Sequence, residues 1–248
     1  MLDLQLTIVL PTYNEAENLP KIVPDLLQLP LPGLTLIVID DNSPDHTGDI
    51  AEDLASQNPG RLKVVHRRTK LGLGTAYITG FNLALKQGAE AIGQMDSDFS
   101  HPVDKLVPMV KALEDCDIVI GSRYITGGSV DEAWPIWRKG LSRFGNSYAR
   151  TILRLPFRDV TGGFRLYRRK SMQTLPLERV RSNGYVFQVE IAYLAHLLGL
   201  RFYEVPIYFA DRRWGKSKMS LRIQIEAALR VWQLLGMYTD IKGKMTIQ

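Results

Sequence analysis

Short apolar runs alternate with longer segments whose apolar residues recur at helical spacing along the first half of the chain. LTIVLP at 6–11, LTLIVID at 34–40, RLKVVH at 61–66 and AEAIGQMD at 89–96 read as strands. The rhythm of strand and helix predicts an α/β fold with a mostly parallel central sheet flanked by helices on both faces. In such sheets ligands bind beyond the carboxyl ends of the strands. The first run ends in PTYNEAEN, the second in DDNSPDHT and the fourth in MDSDFSHP, so acidic and polar clusters recur on one edge. That edge is the candidate site. Pro102 suits a first helical turn, and Leu106, Val107, Val110 and Leu113 continue the period behind it.

From residue 117 the pattern changes. A strand, DIVIGS, leads into a loop rich in glycine and aromatics, then a basic amphipathic stretch from Arg138 to Arg154. DVTGGFRLYRR follows, then an apolar helix near 187–198, a strand RFYEVPIYF at 201–209 and a basic loop, DRRWGKSK. There is no internal repeat, and the second half reads as acceptor and lid elements built onto the first. The expected division is a catalytic domain over 1–218 and a C-terminal amphipathic helix and tail over 219–248. In that helix Arg222, Glu226, Arg230 and Gln233 form one polar stripe among leucine, isoleucine, valine and Trp232. Its apolar face either packs on the core or lies on a membrane or a membrane partner, and both readings stay open.

Composition narrows the partners. The 248 residues are 45% hydrophobic and 23% charged, ordinary for a globular protein, with a net charge of +5. That excess is too mild to demand nucleic acid, and it suits a phosphorylated substrate or an anionic membrane surface. The single cysteine, Cys116, cannot form an internal disulfide. MLDLQLTIVL lacks a basic start and a small-residue cleavage site, so a cytoplasmic protein is expected. No run approaches the roughly 18 apolar residues of a spanning helix, so membrane contact would be peripheral or through a helper subunit.

The sharpest chemical signal is MDSDFSHP. Asp96 and Asp98 repel one another unless a cation lies between them, and a hard divalent ion takes oxygen ligands and bridges to phosphates. An isolated pair of this kind is more often a solvated turn. Here Glu15 and Asp41 belong to the same edge, which favours a site. GLGTA at 72–76 fails as a dinucleotide fingerprint because Tyr77 stands at the third glycine position, leaving Gly72 and Gly74 as turn residues entering a helix. His101 reads as a turn residue beside the acidic pair or a neighbour of the cation, and the other histidines lack ligand spacing. Glu190, in an apolar helix, is either a buried acceptor or a wall of the site.

Together PTYNEAENLP, IDDNSPDHT, LGLGTAYITGFNLAL, MDSDFSHP and GSRYITGG resemble the family-two glycosyltransferases of the GT-A fold. TGGFRLYRR, NGYVFQVEI, EVPIYFADR and GKSKM narrow the resemblance to dolichyl- or polyprenyl-phosphate mannosyltransferases. The resemblance implies transfer of mannose from GDP-mannose to a polyprenyl phosphate, with inversion and with Mg2+ or Mn2+. It implies that Pro11, Tyr13, Glu15, Ile39 and Asp41 form the nucleotide pocket, and that Asp96, Ser97, Asp98 and Ser100 form the diphosphate loop. Of these, Asp96, Asp98 and Ser100 are the implied metal ligands. Arg123, Arg212 and Lys218 would meet phosphates, and Arg138 and Ser142, four apart on one helical face, would seat the acceptor phosphate. Asp98, Arg123, Arg138 and Ser142 are thus the expected catalytic group. An acceptor phosphate is already anionic, so no general base is assigned, and Asp159 is the remaining candidate for one. Transfer of glucose or another sugar, or a catalytically silent nucleotide-binding subunit, are the alternatives.

Overall fold

In the computed structural model, which describes residues 4–211 and 221–241, β1 (Leu6–Thr12), β2 (Leu34–Asp40), β3 (Leu62–His66) and β4 (Ala91–Gln94) occupy the four expected runs. Between and after them lie α1 (Leu19–Leu27), α2 (Thr47–Gln57), α3 (Leu73–Lys86) and α4 (Leu106–Ala112). Helix α1 shows why these segments are helical: Pro20 sits in its first turn, and Leu19, Ile22, Val23 and Leu26 form one buried stripe. Helix α3 is entered through Gly72, whose φ of 96° lies in the region open to glycine. It then buries Ala76, Tyr77, Gly80, Phe81 and Ala84 on a single face. At Gly80 a Cβ would stand 2.2 Å from Val9 Cγ1, so glycine is what lets α3 lie directly on β1.

The second half supplies β5 (Ile118–Ser122), β6 (Ser129–Val130), α5 (Ile136–Leu153), β7 (Arg165–Arg168), α6 (Arg169–Thr174), α7 (Tyr185–Leu197), β8 (Phe202–Pro206), β9 (Tyr208–Phe209) and α8 (Leu221–Met237). Seven strands form one sheet in the order β3-β2-β1-β4-β7-β5-β8. All its pairings are parallel except those of β7, which runs antiparallel between β4 and β5. This strand was not expected. It enters the sheet at the level of Gln94 and Ile120, both paired with Arg165, so the Asp159–Phe164 segment ahead of it lies at the edge where the parallel strands end. The run at 201–209, read as one strand, divides at Ile207. Its second part, β9, leaves the main sheet and pairs in parallel with β6.

Both faces of the sheet are covered. One core gathers Ile8, Leu10, Leu36 and Val38 with the buried faces of α1 and α4, and the other gathers Val9, Ile37 and Ile39 with α3, α7 and α8. Each fully buried aliphatic or aromatic side chain contributes about 1.5–3 kcal/mol, and the closing of two such layers fixes the strand ends in space. Helix α8 packs on the core: Val231 and Leu234, with Tyr238 just past its end, are buried against it, while Leu229 and Trp232 are exposed. Glu190 is the buried acceptor. Its carboxylate receives Arg181 N, Ser182 N and, at 2.5 Å, the hydroxyl of Tyr238.

Candidate active site

The loop after β4 carries Asp96 and Asp98, and neighbouring elements hold both. Tyr77, from α3, donates its hydroxyl to Asp96 Oδ1 at 2.8 Å, and Asp96 N donates to His101 Nδ1 at 3.0 Å. Burial depresses the His101 pKa, and a neutral ring with its proton on Nε2 is the form that accepts this bond. Burial, reinforced by Asp96, raises the Tyr77 hydroxyl well above its ordinary value, so it stays a donor. Asp98 Oδ1 accepts Ser100 N at 3.1 Å and Ser100 Oγ at 2.6 Å, which closes the turn. Ser97 and Ser100 are buried, and Ser97 Oγ donates to Pro11 O, joining this loop to the end of β1.

The residues present fit a divalent cation. Asp96 Oδ2 makes no hydrogen bond to the described residues, and the space before it is kept open by Gly163. A Cβ there would stand 3.8 Å from that oxygen, 3.5 Å from His101 Cε1 and 3.2 Å from Gln188 Nε2. Among the described residues no group of three or more His, Cys, Asp or Glu could hold a metal by itself. Two carboxylates alone form an incomplete shell, the arrangement in which Mg2+ or Mn2+ takes its remaining ligands from phosphate oxygens and water.

The ends of β1 and β2 form the second part of the edge. Lys70 Nζ lies 3.4 Å above the ring of Tyr13, a cation–π contact. Asp41 pairs with the buried Arg67 at 3.0 Å and accepts Leu71 N and Gly72 N, so it anchors the loop entering α3. Glu15 accepts Asn18 Nδ2 at 2.6 Å and donates its own N–H to Thr47. Ile39 is wholly buried in the core and therefore backs this region without lining it.

On the other side, Asp159 occupies the Nε–Nη2 edge of the Arg123 guanidinium, and Nη2 also donates to Thr161, leaving Nη1 without a hydrogen bond among the described residues. Asp159 also accepts Arg123 N and Gly162 N. Its burial favours a raised pKa, but Arg123 outweighs that and holds the carboxyl below its ordinary value, so it is an ionised anchor without a free oxygen for use as a base. Phe209, not singled out by sequence reading, joins the two halves of the site. Its ring touches His101 at 5.6 Å, Trp134 at 5.8 Å and the Arg123 guanidinium at 5.2 Å. Trp134 in turn stacks under Arg138 at 3.7 Å, and Arg138 pairs with Asp211 at 3.1 Å. Ser142 shares a hydrogen bond of 2.7 Å with Tyr124. The structure thus gathers Asp96, Ser97, Asp98, Ser100 and Pro11 in one cluster, links Arg123 and Arg138 to it through Phe209 and Trp134, and reaches Ser142 by its hydrogen bond to Tyr124, whose ring lies 5.0 Å from the Arg123 guanidinium. Arg212 and Lys218 lie outside the described residues.

Sequence reading missed Tyr77, Lys70, Arg67 and Phe209. Tyr77 carried a signal, a hydroxyl on an otherwise apolar helical face.

A family model described as glycosyl transferase family 2 matches residues 7–175. The chain is 40% identical over 239 residues to a polyprenol monophosphomannose synthase of Mycolicibacterium smegmatis, covering 95% of this chain and 89% of that one. It is also 40% identical over 239 residues to an undecaprenyl-phosphate mannosyltransferase of Micrococcus luteus, covering 96% and 97%. Among solved structures it is similar to a mannosyltransferase from Pyrobaculum calidifontis in complex with GDP-Man and Mn2+, with a TM-score of 0.61 and 19% identity. The match covers 91% of this chain but 61% of that one, so the chain spans less than two thirds of that protein. A glucosyl-3-phosphoglycerate synthase from Mycobacterium tuberculosis in complex with Mn2+, uridine diphosphate and phosphoglyceric acid gives a TM-score of 0.65 at 18% identity, covering 94% and 80%. At these identities the likeness is one of fold, and it bears out the expected GT-A architecture.

Proposed function

The chain belongs to glycosyl transferase family 2, and we propose that it transfers mannose from GDP-mannose to a dolichyl or polyprenyl phosphate, giving polyprenyl-phosphate mannose and GDP. The observation that carries this reading is its 40% identity to two enzymes whose names join mannose to polyprenol or to undecaprenyl phosphate, each aligned over at least 89% of its length.

The site chemistry agrees with such a transfer. Asp96 and Asp98 would hold Mg2+ or Mn2+ with the donor diphosphate, and the bound ion supplies charge neutralisation to the departing GDP. Tyr13 and Lys70 offer an aromatic face and a cation to the nucleotide from the neighbouring strand ends. An acceptor phosphate oxygen forms the new bond to C1 of mannose as the C1–O bond to the diphosphate breaks, and the electron pair leaves with GDP. Attack from the face opposite the leaving group inverts C1. The nucleophile carries no proton to remove, so commitment of Asp159 to Arg123 costs the reaction nothing. Arg123 Nη1 is the donor left for that acceptor, and Arg138 holds it after exchanging Asp211 for phosphate. Arg212 and Lys218 are assigned to phosphate by sequence alone.

The acceptor's lipid chain needs a surface. The first half of α5 exposes Ile136, Trp137, Leu141 and Phe144 beside Arg138, Lys139 and Arg143, and α8 adds Leu229 and Trp232. Among the described residues no helix is long and apolar enough to cross a membrane. This basic, aromatic face is therefore the proposed contact with a membrane surface or a membrane helper subunit.

Transfer of radiolabel from GDP-mannose or UDP-glucose to a short polyprenyl phosphate tests the reaction. Label in the lipid phase from GDP-mannose, dependent on Mg2+ or Mn2+, is the expected result. Label from UDP-glucose alone would replace mannose with glucose in the assignment.

A further inference from the structure

We infer that Tyr77 is a positioning residue for the transfer, holding the Asp96 carboxylate so that Oδ1 is committed to the protein and Oδ2 is presented to the donor's cation. The inference rests on the proposed reading of Asp96 as a metal ligand. Tyr77 is wholly buried, with its ring stacked between Phe81 at 5.7 Å and Phe187 at 5.8 Å. Phenylalanine would fill the same slot, so packing does not account for the hydroxyl. Among the described residues that hydroxyl makes one hydrogen bond, to Asp96 Oδ1 at 2.8 Å.

Two further features turn this contact into a fixed geometry. The close approach of Gly80 to Val9 draws α3 onto β1 and sets how far Tyr77 reaches across the strand ends. The bond from Asp96 N to His101 Nδ1 fixes the backbone of the same residue, so Asp96 is held at its main chain and at one carboxylate oxygen. A neutral phenol restrains the carboxylate without cancelling its charge, which keeps Oδ2 competent to bind a cation. Without that restraint the side chain would have to be ordered by the cation itself, and the cation would bind more weakly.

Three proteins decide the matter: the wild type, Tyr77→Phe and Asp96→Asn, each titrated with Mn2+ in the presence of GDP by electron paramagnetic resonance. Melting temperatures and the Mn2+ dependence of mannosyl transfer complete the comparison. Tyr77→Phe keeps the ring stack and is expected to melt near the wild-type temperature. Its apparent Mn2+ affinity is expected to fall about 10- to 100-fold, the usual scale for a hydrogen bond to a charged group, with part of the rate regained at saturating Mn2+. Unchanged Mn2+ affinity and Mn2+ dependence in Tyr77→Phe, with Asp96→Asn defective, would overturn the positioning role and leave the metal reading intact. Unchanged Mn2+ affinity in Asp96→Asn would overturn both.

Discussion

Asp159 receives the Arg123 guanidinium side-on, Oδ2 from Nε and Oδ1 from Nη2, each at 2.8 Å, with the carboxylate wholly buried. A buried pair of this geometry is costly to break, because removing one charge strands the other. Asp159→Asn is expected to lower stability at pH 7 by about 3–5 kcal/mol, measured by urea unfolding. The sign of the pH dependence follows from the depressed carboxyl. Its stabilising contribution is present above the unfolded-state value of about 3.9 and is lost as pH falls through the lower folded-state value. The wild type should therefore lose stability on acidification more steeply than Asp159→Asn. Parallel acid limbs would show that the pair does not govern this transition.

Asp98→Asn should spare the fold and damage the reaction. The remaining amide oxygen can still accept from Ser100, so the turn is kept, but the negative charge is gone. Loss of one such electrostatic contact typically removes about 2.7–4 kcal/mol, or roughly 100- to 1,000-fold in rate. A correctly melting variant that transfers mannose at the wild-type rate would remove Asp98 from the reaction.

Arg138→Ala should separate acceptor from donor. Its ion pair with Asp211 is partly solvated, so its loss should change stability by no more than about 1 kcal/mol. The expected kinetic outcome is a raised KM for polyprenyl phosphate, with GDP-mannose affinity by calorimetry unchanged. A large loss of nucleotide affinity at unchanged lipid dependence would reverse the assignment.

Trp137→Glu and Phe144→Glu test the proposed membrane face. These side chains are 69% and 66% exposed, so the substitutions should leave the melting temperature near the wild-type value. Each aromatic that enters a bilayer contributes about 1.5–3 kcal/mol. Flotation with anionic liposomes should fall sharply in both variants, and transfer to a short, dispersed polyprenyl phosphate should persist. A wild type that stays below the liposomes would assign the contact to a helper subunit.

How far this molecule could be read from its residues depended on the range of the interaction involved. The β1, β2 and β4 runs, the α5 and α8 patterns and the acidic loop declare themselves through local spacing, and the structure finds elements there. Strand β7 did not, because Arg165 looks like a residue for solvent. It is instead buried, donating to Gln188 O and Val160 O, acceptors that only tertiary packing brings within reach. In the sequence Tyr77 stands out only as a break in a glycine pattern, and its hydrogen bond to Asp96 exists only because α3 packs beside the end of β4. The pairing of Arg123 with Asp159, 36 residues apart, is equally silent in the sequence, although each residue stands in a motif of its own.

The contact between Glu190 and Tyr238 bears on where this protein can be cut. Glu190 orients Ser182 N, Ser182 O lies close against Gly74 at the start of α3, and the same carboxylate depends on a hydroxyl just beyond α8. A chain shortened to end at residue 218 would leave that carboxylate in an apolar interior with one donor fewer, and would unroof Ala192, Tyr193 and their neighbours in the core. The C-terminal segment is thus a keystone for the loop beside the start of α3. A shorter enzyme that retains its fold must carry a substitute for Tyr238.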